Sequence, residues 1–137
     1  FAMKRRQFGK PIAKLEGMQF ILADMAASVE AARNLVYKAA YYLDHNHKDA
    51  TKLSAMSKFF CSDMAMKVTI DAVQVFGGYG CLKSRPLERM MRDAKITQIY
   101  EGTNQVQRFV VAEQMIKQHL ETYDHYFRNE LEEMEWE

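Results

Sequence analysis

Two apolar stripes, each far longer than a strand would need, constrain this chain most. Met18, Leu22, Met25, Val29, Ala32, Val36, Ala39 and Leu43 step by three or four residues, and so do Leu53, Met56, Phe60, Met64, Val68, Ala72 and Val75. That period puts side chains on one face of an α-helix, whereas a half-buried strand alternates every second residue. The spacing predicts one helix over about 16–44 and a second over about 51–76. The polar run from His45 to Asp49 breaks them apart, and so short a connection returns the chain antiparallel.

Local signals set the remaining limits. Gly9 and Pro11 end a first helix or arm near Gln7 and start a turn. Asp49 or Thr51 is placed to cap the second long helix. Gly77, Gly78 and Gly80 stop it, since glycine adopts left-handed dihedrals without penalty. Pro86 suits the first turn of a short third helix reaching about Ile96. Thr103 is an N-cap for a last helix carrying Val106, Phe109, Val110, Met115, Ile116 and Leu120, with a possible extension through Tyr123 and Phe127. The acidic end beyond Arg128 is expected to fray. Only 6 Gly and 2 Pro occur in 137 residues, and 48% of the chain is hydrophobic, which favours a folded helical protein. The expected fold is all-α, an antiparallel up-and-down four-helix bundle. Residues 1–117 form the domain, and 118–137 a helical or frayed acidic extension.

Charge and cysteine usage narrow the chemistry. A net charge of +1 gives no electrostatic case for nucleic acid, although Lys4, Arg5, Arg6, Lys10 and Lys14 crowd the start and glutamates crowd the end. No apolar run approaches membrane-spanning length. Cys61 and Cys81 lack metal or redox spacing and read as reduced thiols inside a cell. No Glu-x-x-His pair of the kind that holds metals in helical bundles is present. His45 and His47 read as a polar loop, His119 and His125 as solvent-facing residues, and no metal is expected. A start at Phe1-Ala2-Met3 reads as part of a longer polypeptide.

Two segments invite a functional reading. In Gln74-Val75-Phe76-Gly77-Gly78-Tyr79-Gly80, three glycines within four positions either cap a helix or let backbone approach a ligand closely. In Ile99-Tyr100-Glu101-Gly102-Thr103, an acid stands just before a helix start. It is either favoured there by the helix dipole or a general base in a tight, partly apolar turn, where burial strengthens a carboxylate as a base.

Taken in order, Arg5 to Ile12, Gln19-Phe20 with Ala23-Asp24-Met25, Gln74 to Gly80, Pro86 to Arg89, Arg92 to Ile96, and Ile99 to Thr103 with Gln105 to Arg108 resemble the acyl-CoA dehydrogenases over about residues 1–117. The resemblance implies the helical C-terminal domain of an enzyme that also has an N-terminal helical domain and a middle β-domain. It implies FAD, bound between the middle and C-terminal domains and across a subunit boundary, in a tetramer that is a dimer of dimers. It further implies an acyl-CoA substrate, an electron-transfer flavoprotein as partner, and residence in a bacterial cytoplasm or mitochondrial matrix.

By the same resemblance, Glu101 is the base that removes the α-proton of the thioester while the flavin takes the β-hydride, leaving a trans-2-enoyl-CoA. The backbone N–H of Glu101 helps hold the thioester oxygen, an oxyanion-type device. Tyr100 lines the acyl pocket and Gly102 lets substrate approach. Thr103 and Gln105 match flavin contacts. Arg5 and Phe8 match contacts to the partner subunit's flavin dinucleotide, and Gln74, Gly77 and Gly78 match the adenosine end of that same cofactor. The chain departs from the pattern at Glu16, where an amide is usual, in the connection from Leu82 to Arg85, and in the tail beyond Lys117. That tail is expected either to continue the helix, with Tyr123, Phe127 and Trp136 packing, or to serve as an interaction segment. Two other readings stand beside the dehydrogenase: an acyl-CoA oxidase of the same superfamily, and a non-catalytic helical assembly module. Without the other domains the chain is expected to bind FAD poorly and to turn over little substrate.

Overall fold

The computed structural model describes residues 1–133, with side chains described through Tyr123. The side chain of Phe127, and Trp136, lie outside the described residues. The order is a two-stranded hairpin, β1 (Arg6–Gln7) and β2 (Lys10–Pro11), followed by α1 (Glu16–Asp44), α2 (Ala50–Phe76), α3 (Leu87–Thr97) and α4 (Asn104–Glu133). Short 3-10 turns cover Ile12–Lys14 and Gly77–Cys81. The all-α expectation holds, and no helix among the described residues is long and apolar enough to cross a membrane.

The second long helix lies at the centre. α1, α3 and α4 each pack on α2, while α1 and α4 share at most marginal contact with each other. The core is thin and made of small side chains: Ala39 of α1, Leu53, Ala55 and Val75 of α2, Ala94 of α3 and Val111 of α4. The α1 stripe that meets α2 runs through Met25, Ala32 and Ala39 as expected, but Ser28, Leu35 and Tyr42 complete it. Val29, Val36 and Leu43, expected on that face, are 42%, 44% and 55% exposed. The apolar surface of α1 is wider than the strip one neighbouring helix can cover. On the outer side of α4, Val106, Phe109, Ile116 and Leu120 form a second uncovered stripe. Contiguous apolar surface of this kind marks a contact face.

Two helix starts differ from the sequence reading. Asp49 stands at the N-cap of α2 without a side-chain capping bond. Its carboxylate instead pairs with Lys52 at 2.8 Å and accepts from Gln118 Nε2 at 2.5 Å. Lys52 Nζ in turn donates to Gln118 Oε1 at 2.6 Å, so this triangle staples α2 to α4. Pro86 is the N-cap of α3, one residue before its first turn.

The arm before α1 is a hairpin. Arg6 pairs with Pro11 and Gln7 with Lys10. Phe8 (φ 50°) and Gly9 (φ 76°) form its turn, the two left-handed residues that a tight two-residue hairpin demands. The Ile12 N–H donates to the Arg5 carbonyl, and Phe1 stacks on Phe76 at 4.0 Å, fixing the arm against the end of α2.

Candidate functional site

The turn between α3 and α4 carries Glu101. Its backbone is held from several sides. The N–H groups of Ile99 and Tyr100 donate to Ile96, and the Asn104 N–H donates to the Gln98 carbonyl at 3.0 Å. Gln107 Nε2 donates to the Glu101 carbonyl at 3.3 Å, and Lys58 Nζ to the Gly102 carbonyl at 2.7 Å. The peptides on either side of Gly102 are therefore both fixed. Thr103 caps α4 as expected, its hydroxyl accepting from the Val106 N–H at 3.3 Å.

Left-handed φ at Glu101 (51°) and Gly102 (87°) shapes the turn. A side chain at Gly102 is strained by this φ, and its Cβ, 2.6 Å from Gln107 Nε2, would push the end of that flexible side chain off the Glu101 carbonyl. Glu101 itself is strained, since a side chain in the left-handed region costs about 1–2 kcal/mol. Glu101, Tyr100, Gly102 and Gln105 are all exposed on this chain. The chain thus supplies the tight turn but not the dry surroundings expected for a base. Tyr100 borders a cavity of about 290 Å³ together with Lys58, Cys61, Ser62, Ala65 and Thr97.

Beneath the turn lies a polar cluster that the sequence reading missed. Asn104, only 3% exposed, donates through Nδ2 to Ser62 Oγ and Asp63 Oδ1, both at 2.8 Å. Its Oδ1 accepts from Lys58 Nζ at 2.8 Å. Asp63 also accepts from Gln98 Nε2 at 2.6 Å and Arg108 at 2.5 Å. Burial pushes the Asp63 carboxyl up, but the hydrogen bonds from Arg108, Gln98 and Asn104 outweigh it and hold the group below the usual range. The Arg108 guanidinium lies over the Phe59 ring at 4.7 Å. The available signal was faint. Ser62 lies on the face of α2 opposite its apolar stripe and is nonetheless buried, because a central helix is covered on several sides.

Five other expected site residues meet elsewhere. Arg5, Phe8, Gln74, Gly77 and Gly78 line one open groove of about 500 Å³, floored by aromatic side chains such as Phe1 and Phe76. The Arg5 guanidinium lies 5.4 Å from the centre of the Tyr79 ring. The three glycines of this segment separate by cause. Gly77 needs its φ of 56°, and Gly80 is pressed on α2, where a Cβ would stand 2.8 Å from the Val73 carbonyl oxygen. Gly78 has neither reason: a Cβ would meet nothing within 4 Å. The expected residues fall into two groups, around Glu101 and around Arg5, and Tyr100 of the first lines a different cavity from the five residues of the second. Among the described residues, the non-glycine positions with positive φ are Phe8, Asn46 and Glu101. Asparagine tolerates this conformation; the other two lie one in each group.

Comparison with known proteins gives the family. A family model described as acyl-CoA dehydrogenase, C-terminal domain, matches residues 1–116. A cyclohexane-1-carbonyl-CoA dehydrogenase of Geobacter metallireducens is 50% identical over 115 residues, which cover 84% of this chain and 30% of that protein. The butyryl-CoA dehydrogenase structure from Megasphaera elsdenii superposes with a TM-score of 0.81 at 50% identity, over 85% of this chain and 30% of that one. A chain in the structure described as the electron transferring flavoprotein of Acidaminococcus fermentans, with a view to flavin-based electron bifurcation, has a TM-score of 0.81 and 52% identity, over 84% of this chain and 30% of that one. The chain spans about 30% of the length of the relatives it matches. It belongs to the acyl-CoA dehydrogenase family, as that family's C-terminal helical domain.

Proposed function

We propose that this chain is the catalytic C-terminal part of an FAD-dependent acyl-CoA dehydrogenase and that Glu101 is its base. The observation that carries the reading is the Glu101 turn. A strained acidic residue is held there by two pinned carbonyls, its own and that of Gly102, and strain of this kind concentrates at active sites. Among the described residues the N–H groups of Glu101, Gly102 and Thr103 have no acceptor. Free N–H groups beside a carboxylate suit removal of a proton α to a thioester carbonyl. The carboxylate takes the proton while an N–H meets the charge that develops on the thioester oxygen. FAD, when bound, supplies the acceptor for the β-hydride, and the product is a trans-2-enoyl-CoA.

The residues present fit such a cofactor. Gly102, Thr103 and Gln105 offer backbone and side-chain polar groups at the start of α4. Around the other groove, Arg5 offers a guanidinium suited to a pyrophosphate, and Gly78 leaves backbone open to a flat ring. Because the two groups lie apart, one chain serves two cofactor molecules, its own at Glu101 and the partner subunit's at Arg5, Phe8, Gln74, Gly77 and Gly78. In this reading the enzyme is a dimer of dimers, with the uncovered stripes of α1 and α4 as contact faces. An electron-transfer flavoprotein is the electron acceptor in this reading, and the bacterial relatives favour a bacterial cytoplasm. With about 30% of its relatives' length, the chain alone is expected to bind little FAD and to turn over little substrate.

The test is Glu101→Gln in the full-length enzyme, assayed by dye-linked oxidation of butyryl-CoA. Loss of a general base is expected to lower kcat about 10²–10⁴-fold with the flavin absorbance retained. Turnover within twofold of the unaltered enzyme would show that another group is the base.

A further inference from the structure

We propose that Lys58 is a positioning residue for Glu101, acting from α2 through the backbone of the turn. The inference rests on the reading of Glu101 as the base. Lys58 Nζ donates to the Gly102 carbonyl at 2.7 Å and to Asn104 Oδ1 at 2.8 Å. Among the described residues its ammonium has no carboxylate within 4.0 Å. The neighbouring acid that could take it, Asp63, is already engaged by Arg108, Gln98 and Asn104. The charge is therefore spent on two neutral oxygens, both belonging to the segment that follows Glu101. Hydrogen bonds from a charged donor are stronger than neutral ones. The turn needs such a tie, because Glu101 and Gly102 are left-handed in succession and the exposed side chains of Tyr100 and Glu101 pack against little on this chain. Gln107 alone holds the preceding carbonyl, at the longer distance of 3.3 Å. Without Lys58 the Gly102 carbonyl loses its tie, and the turn, held then only at Thr103, Asn104 and the Glu101 carbonyl, shifts together with the aim of the carboxylate.

The experiment compares Lys58→Met, which keeps the aliphatic stem and removes the donor, with Lys58→Arg, which restores a cationic donor. Glu101→Gln is carried in parallel. In the FAD-loaded full-length enzyme, Lys58→Met is expected to lower kcat for butyryl-CoA about tenfold to a hundredfold, the scale of a small misplacement of a reacting group. KM and flavin content stay within twofold, and Lys58→Arg recovers at least part of the loss. In this chain, amide exchange of Tyr100 to Thr103 quickens in Lys58→Met while the α2 amides do not change. An unchanged kcat in Lys58→Met overturns the proposal. So does a parallel fall of kcat, flavin content and α2 protection that Lys58→Arg does not reverse, since that is general damage to the fold. If Lys58→Met is silent while Glu101→Gln abolishes turnover, the positioning role alone is lost. If Glu101→Gln retains turnover, the base assignment and the positioning role fall together.

Discussion

The Glu101 turn and the Arg5 groove are built in opposite ways. The turn is prepared by its own chain: Asn104, Lys58, Gln98 and Gln107 fix its backbone, and a buried polar cluster lies under it. The groove is shaped mainly by apolar surface, aromatic rings and glycine, with an exposed Phe8 (88%) at its edge. A site that must aim one carboxylate needs rigid support from within. A surface that only receives a ligand can leave its ordering to the ligand. The contrast teaches that damage to the turn should register in the isolated chain, whereas damage to groove positions free of backbone strain, such as Gly78, should register only when a ligand is present.

Asn104→Ala puts the largest strain on that contrast. It removes the hydrogen bonds with Lys58, Phe59, Ser62 and Asp63 at a nearly fully buried position, and stranded buried polar groups cost about 1–3 kcal/mol. A drop in denaturation midpoint of that size is expected for this chain in urea, without any ligand. A comparable loss is expected at the rim of the groove. Gly77→Ala forces a side chain onto φ 56° and ψ −142°, a backbone that only glycine adopts without strain, at about 1–3 kcal/mol. Its neighbour Gly78→Ala should stay within about 0.5 kcal/mol, as a surface change with open space around it, while FAD retention by the full-length enzyme falls. If Gly78→Ala unfolds the chain as readily as Gly77→Ala, the groove is structural and the contrast fails.

The mildest of these effects is on acid stability. Asp63 and Asp49 are both held below the ordinary value of 3.8, Asp49 through its hydrogen bonds with Lys52 and Gln118. A carboxyl that is more acidic folded than unfolded adds stability above its unfolded value and loses it as pH falls through the folded one. The thermal midpoint should be level with respect to these groups above about pH 4 and should fall below it, with a shallower fall in Asp63→Asn. An acid limb unaltered in that variant would mean that Asp63 does not hold the turn.

Much of this was legible in the sequence. The limits of α1 at Glu16 and Asp44 follow from periodicity and the polar break, because a long helix writes its pattern many times over. The pairing of Gly102 with Glu101 in a tight turn, and the cap at Thr103, follow from local chemistry. What escaped was set by tertiary placement. Nothing near Asp49 says that its carboxylate will turn from its own helix to Gln118, 69 residues away. The choice of Leu35 over Val36 as the residue facing α2 depends on how α2 lies across α1. Asn104 reads as an ordinary polar residue at a helix start until α2 is packed over it.

The central place of α2 has a consequence for how this protein comes apart. α1 and α4 each lean on α2 and barely touch one another, so either flank can peel away while the other stays docked. A protease nick in the connection from His45 to Asp49 would then free α1 and leave the Glu101 turn standing on α2 and α4. The arm and α1, which bring Arg5 and Phe8 to the groove, would then melt apart from the α2, α3 and α4 part that holds Glu101 together with Gln74, Gly77 and Gly78.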